Sequence, residues 1–207
     1  MEYRARSDEA WYGARVVVQE GLLRVMFENS TEDEDEWYDP GADFASPGDV
    51  DALRGRFRRE SPSLDDARCG DLRPGDQLCV ACRTPGDDEE LKYYDAVLET
   101  AERAAHGTVD SVDRCACRFR VRWTEGLRRG CRDKVGIEVV CCVPESPIQD
   151  PALNEFLDDV TKRFGGEDQG MATAASQQAA PTPISEEELC RVLLSLNRAS
   201  KSSTRRS

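Results

Sequence analysis

A single histidine, His106, stands nine residues ahead of a Cys115-x-Cys117 pair, and a Cys79-x-x-Cys82 pair lies upstream. This pattern constrains the fold more than any other feature, because thiolates and an imidazole are the donors of a closed four-coordinate zinc site. In an extended run, residues two apart point to the same face, so Cys115 and Cys117 would converge on one side. Two ligand sets are open. Cys79, Cys82, Cys115 and Cys117 make an all-thiolate site. One of Cys79 and Cys82 with His106, Cys115 and Cys117 makes a site of three thiolates and one imidazole. Either has four protein ligands and no position left for water, so the metal would stabilise rather than catalyse. Buried free cysteines in a small core are the alternative reading.

The remaining composition favours metal over disulfides. There are nine cysteines, a number that a full set of intramolecular bridges cannot use. Residues 1–10 are polar and charged, without the apolar stretch of a secretion signal. No apolar run approaches the length of a membrane span. A reducing, intracellular setting is therefore expected. The formal net charge of −13 argues against a general nucleic-acid binder. It suits a basic partner, such as a histone tail, reached by electrostatic steering.

Taken in order, Arg15–Gln19 and Leu22–Phe27 read as a hairpin broken at Gly21. The acidic run Glu32–Glu36 follows, closed by Trp37 and Tyr38, and Pro40–Gly48 is rich in turn residues. Residues 53–59 form a basic patch, expected as a strand or crossover whose arginines pair with the acidic run. Residues 61–73 read as a linker. Strands are expected at Gln77–Arg83, Lys92–Leu98, Cys115–Trp123 and Ile137–Val143, with a turn at 84–90 and a loop from His106 to Arg114. Asp150-Pro151 opens a helix with Asp as N-cap and Pro in the first turn. Leu153, Phe156, Leu157, Val160 and Phe164 line one face of it. Composition makes 165–184 a disordered linker. Ser185-x-x-Glu188 caps a second amphipathic helix over 185–197, and 198–207 is a disordered basic tail.

Two further groupings bear on function. Trp11, Tyr12, Phe27, Trp37 and Tyr38 crowd the first β block, and aromatic faces hold methylated ammonium groups by cation–π attraction. Enzyme chemistry finds no support. The one histidine has no nucleophile in a suitable context, and no glycine loop for phosphate is present.

At these residues the chain resembles the plant SAWADEE domain family of chromatin readers. The resemblance is carried by Glu2-Tyr3-Arg4-Ala5-Arg6-Ser7-Asp8-Glu9-Ala10-Trp11-Tyr12 and by Arg24-Val25-Met26-Phe27 with Glu34-Asp35-Glu36-Trp37. Pro74-Gly75-Asp76, Tyr93-Tyr94-Asp95-Ala96, and His106 with Cys115-Ala116-Cys117 before Arg118–Trp123 complete it. It spans roughly residues 1–143 and includes no homeodomain.

The resemblance implies a mainly β fold of tandem tudor-like barrels over 1–60 and 74–143, the second stapled by zinc; the C-terminal helices are read from the sequence itself, the first of them (150–164) expected to pack on the domain. It implies a nuclear, non-enzymatic reader of a histone tail methylated at lysine nine and unmethylated at lysine four, linked to RNA-directed DNA methylation or silencing. Tyr12 and Phe27 would be cage walls for the methyl-lysine, and Glu2, Tyr94 and Asp95 would lie at the unmethylated lysine. His106, Cys115 and Cys117 would ligate zinc, with Cys79, or Cys82 in its place, as the fourth ligand. At two positions the family pattern differs: Gly13 stands where an acidic residue is usual, and Ser30 where a second aromatic is. Trp37 is therefore expected to complete the cage. The C-terminal helices are expected to dock silencing-complex proteins, and neither sequence-specific DNA binding nor a membrane is expected. The alternative is an interaction scaffold with the same fold and a degenerate cage.

Overall fold

The computed structural model describes residues 1–84, 87–109, 112–145 and 147–165. It is mainly β, with a C-terminal helix, and divides into two compact units. The first contains Met1–Ala5, Trp11–Glu60 and the segment from Pro144 to the end of the helix; the second contains Arg6–Ala10 and Ser61–Val143.

In the first unit, β1 (Glu2–Arg4), β2 (Trp11–Gln19), β3 (Leu22–Phe27) and β4 (Glu36–Tyr38) form an antiparallel sheet. The short β5 (Phe57–Arg58) pairs on the outer side of β1. Glu20 and Gly21 both take positive φ, 54° and 82°, between β2 and β3. That is the twist a two-residue hairpin needs, and glycine supplies half of it without strain. Alternation along the strands sends Ala14, Val16, Leu23 and Val25 into the core.

Two helices cover that face. The first, α1 (Pro47–Arg54), lies in the stretch read as turns and basic strand. Its signal is a Ser46/Asp49 capping box with Pro47 in the first turn. The second, α2 (Pro151–Gly165), starts as its sequence suggests, with the Leu153 N–H donating to Asp150 Oδ1 at 2.9 Å. Leu153, Phe156, Leu157 and Val160 are all buried in the same core as Tyr3, Tyr38, Phe44 and Phe57. Two arginines of residues 53–59, expected to pair with the acidic run, have partners on β1. Arg58 Nε donates to Glu2 Oε2 at 2.5 Å, and Arg56 donates to the Arg4 carbonyl at 2.8 Å. Arg24 takes the acidic run instead, 2.6 Å from Asp35 and 3.6 Å from Glu32.

The second unit is a five-stranded antiparallel sheet in the order β12-β6-β7-β10-β11. Its strands are β6 (Gln77–Thr84), β7 (Asp87–Glu102), β10 (Arg118–Trp123), β11 (Arg132–Val135) and β12 (Val140–Cys142). β8 (Gly107–Val109) and β9 (Val112–Arg114) form a separate hairpin where a loop was expected. β7 extends to Glu102 and takes in part of the expected turn at 84–90. The expected linker contains a 3-10 turn, Asp66–Asp71. Leu78, Val80, Leu98, Phe119, Val121 and Trp123 fill this unit's core.

The sequence-predicted linker beyond Gly165, the helix at 185–197 and the tail at 198–207 lie outside the described residues. No helix among the described residues is long and apolar enough to cross a membrane.

Candidate functional site

Four potential metal ligands meet in the second unit: Cys69, His106, Cys115 and Cys117, their donor atoms all within 4.8 Å of one another. Cys69 comes from the 3-10 turn, His106 from the residues between β7 and β8, and the other two from the segment entering β10. Cys69 Sγ is 3.7 Å from Cys117 Sγ and 3.1 Å from His106 Nε2, and Cys117 Sγ is 3.8 Å from that nitrogen. Ligands at 2.0–2.3 Å from a tetrahedral zinc stand roughly 3.5–3.8 Å apart, so the donor set and its spacing fit such an ion. The ligands could hold a metal in a closed site, with Cys69 and Cys117 buried and His106 at the surface.

The fourth residue of the cluster is Cys69, where the sequence had suggested Cys79 or Cys82. Cys79 is fully buried on β6, opposite Cys141 and Asp95. Cys82 is half-buried, and burial pushes its thiol above the ordinary value. Residues three apart on a strand point to opposite faces, which disfavours the all-thiolate set that would use both. Cys115 and Cys117 do converge, but in the irregular segment before β10 rather than in a strand.

Surrounding groups hold the ligands in place. The Ala104 N–H lies 3.4 Å from Cys117 Sγ, and this bond, aided by His106, holds that thiol down at about 6. Burial pushes the neighbouring Cys115 up to about 12. A bound dication would reverse that second effect, because a coordinating thiol is deprotonated outright. Arg103 donates to the Cys69 carbonyl and, at 2.6 Å, to the Leu72 carbonyl, tying the 3-10 turn to the end of β7. Its guanidinium carbon sits 5.7 Å from the Phe119 ring centre.

In the first unit, Tyr12 and Phe27 do come together, on neighbouring strands. Their ring centres are 5.7 Å apart and their planes 78° apart, which makes a two-walled aromatic corner. Tyr3, buried and unnoticed as a candidate in the sequence, backs it at 5.8 Å from Phe27. The Tyr3 hydroxyl donates to Glu36 Oε2 and lies against the Tyr38 hydroxyl, each at 2.5 Å.

Trp37 does not join this corner. It pairs with Arg24, whose side chain alternates away from Leu23, Val25 and Phe27. Trp37 therefore occupies the other face, with the Arg24 guanidinium 5.2 Å from its ring centre. Gly13 has a local cause. A Cβ there would stand 2.4 Å from Glu28 Oε2, so the Glu28 side chain fills the space a residue at 13 would use. Glu28, directly after β3, donates its N–H to the Gly13 carbonyl at 2.8 Å.

Of the residues assigned to an unmethylated lysine, Glu2 is engaged by Arg58, itself stacked 3.6 Å from the Trp11 ring centre. In the second unit Tyr94 is buried, edge-on to Trp123 at 6.4 Å. Asp95 is half-buried, and Tyr93 is the tyrosine of that strand exposed to solvent.

A two-unit β protein with a Cys3His cluster and an aromatic corner fits one domain family. Its model matches residues 1–141, and the chain belongs to the SAWADEE domain family. Among solved structures, the SHH1 SAWADEE domain in complex with an H3K9me3 peptide is 22% identical with a TM-score of 0.49, covering 69% of this chain and 96% of its own. A selenium-substituted double mutant of the Arabidopsis thaliana SHH1 SAWADEE domain has the same identity and TM-score, covering 70% and 96%. No curated protein matches.

Proposed function

We propose that this protein is a nuclear, non-enzymatic reader of a histone tail, selecting lysine nine methylated and lysine four unmethylated, in the service of RNA-directed DNA methylation or silencing. Family membership supports the class. The observation that carries the methyl-lysine reading is the near-perpendicular pair Tyr12 and Phe27. Two aromatic faces at that angle offer cation–π attraction to a methylated ammonium from two sides. The exposed acidic residues Glu32, Asp33 and Glu34 supply the long-range attraction for a basic tail. Zinc is the ion proposed for Cys69, His106, Cys115 and Cys117. It would stabilise the second unit and leave no coordination position for chemistry.

A second reading, an interaction scaffold with a degenerate cage, is favoured by one observation: Trp37 lies on the opposite face of the sheet from Phe27, so it does not supply a third wall. Calorimetry with histone H3 tail peptides separates the two. The reader binds the lysine-nine-methylated peptide at least tenfold more tightly than the unmodified one, and loses affinity when lysine four is also methylated. Equal binding of all peptides supports the scaffold.

A further inference from the structure

The chain is acidic overall, yet one face of its second unit is cationic. On β10 the side chains alternate. Phe119, Val121 and Trp123 are buried, while Arg118 and Arg120 are exposed and Arg122 is 38% exposed. The neighbouring β11 adds Arg132 and Lys134, each about half exposed. The pairing sets Arg120 directly opposite Lys134, and Arg122 directly opposite Arg132. Like charges directly opposite one another across an antiparallel pair are destabilising. Two such pairs side by side break a local rule, and such breaks concentrate at functional sites.

Two carboxylates partly answer these five cations. Glu99 projects at the register shift in β7 and is shared by Arg132 at 2.9 Å and Arg122 at 3.5 Å. Lys134 meets Glu102 at 2.6 Å. Arg118 and Arg120 have no ion pair among the described residues, and Arg118 donates only to its neighbour's carbonyl, on Cys117, at 3.3 Å.

We propose that the β10–β11 face binds the phosphate backbone of nucleic acid. Alternate strand residues are spaced about 6.7 Å along β10 and about 4.8 Å across to β11, which lays out a row of cations on one face of the sheet. A repeating polyanion can engage such a row at several points, whereas a single carboxylate or phosphate uses one. The net charge of −13 does not cancel this, because at physiological salt charges beyond about 8 Å are screened and the ligand meets the local field. None of the exposed large apolar or aromatic residues lies on β10 or β11, so bases have no stacking platform there. Binding is through phosphates and independent of sequence. The inference stands apart from histone reading and uses a different surface.

The test is a fluorescence-anisotropy titration of the full chain into a labelled duplex of about 20 base pairs, and into one of its single strands, between about 50 and 200 mM salt. For the duplex, the logarithm of the binding constant should fall against the logarithm of salt with a slope between about −2 and −4.5, the span set by two to five phosphate contacts. Scrambling the sequence should change nothing. R118Q/R120Q should weaken duplex binding at least tenfold at the lowest salt and flatten the slope by about 2. Arg118 borders a metal ligand, so R120Q/K134Q is the second variant, expected to show the same losses with unchanged metal content and melting midpoint. The proposal is overturned if no binding occurs at the lowest salt. It is also overturned if R120Q/K134Q binds like the parent, which would assign binding to the basic tail around Arg205 and Arg206. Tighter binding to polyglutamate or to anionic lipid vesicles than to either nucleic acid would sink it as well.

Discussion

Cys69 Sγ stands 3.7 Å from Cys117 Sγ although 48 residues separate them in the chain. The contact closes a long loop, and a metal bridging it would constrain the unfolded chain as well as the folded one. C69S should therefore lose bound metal and lower the melting midpoint, while C79S and C82S keep the metal. Native mass spectrometry reads the metal and calorimetry the midpoint. Metal retained by C69S and lost by C79S would restore the set that the Cys-x-x-Cys spacing suggested.

Arg103 holds the Cys69 turn through two backbone carbonyls. Groups that orient ligands commonly contribute 10–100-fold to metal affinity. R103A is expected to weaken metal binding by roughly that factor in competition with a chelator. A value matching the parent would mean that the turn is fixed by its other contacts.

The second-unit strand at Arg118–Trp123 was legible because strict alternation leaves little choice, and α2 was legible because its cap and its apolar stripe agree. Cys69 was not. It is a lone cysteine in a polar, Asp- and Gly-containing run, and its role depends on a partner 48 residues away. The face that Trp37 occupies was hidden for a related reason. Adjacent residues on a strand face opposite ways, and only the β3–β4 register shows which of Trp37 and Tyr38 faces Phe27. The Tyr12–Phe27 corner needed the family resemblance, because the hairpin read from the sequence began at Arg15 whereas β2 begins at Trp11 and so brings Tyr12 beside Phe27. Helix α1 carried readable caps but is only eight residues long and sits among turn residues.

The placement of the aromatics gives an asymmetric expectation for peptide binding. Y12A and F27A each remove one wall of the corner and should weaken methylated-peptide binding about 3–30-fold, the range of a partly desolvated cation–π contact. W37A should leave the methylation preference intact, because Trp37 stacks on Arg24 across the sheet from Phe27. Calorimetry measures both, and a lost preference in W37A alone would place the cage on the other face.

Helix α2 is built into the first unit and is not an appendage. Leu157 is fully buried in the core that includes Tyr38, Phe44 and Val16. L157A should cost about 2–5 kcal/mol in urea unfolding, the range for emptying a leucine site in a packed core. Exposed Asp158 next to it gives the control, since D158A should change stability by less than about 0.5 kcal/mol. A similarly small loss for L157A would mean that the helix docks only loosely.

Tyr3 sets an alkaline limit on the first unit. Burial raises its hydroxyl well above the ordinary tyrosine value, assisted by the neighbouring Tyr38 and Glu36. A group whose folded value lies above its unfolded one contributes stability that is complete below the unfolded value, about 10, and lost as pH rises past it. Between about pH 10 and 12 the parent should therefore lose up to about 1.4 kcal/mol per pH unit through this group. Y3F cannot ionise there, so its unfolding free energy should fall less steeply over the same window, even though it starts lower for want of the bonds to Glu36 and Tyr38. Denaturant unfolding across that range tests the sign: parallel pH profiles for Y3F and the parent would show that Tyr3 does not titrate on unfolding.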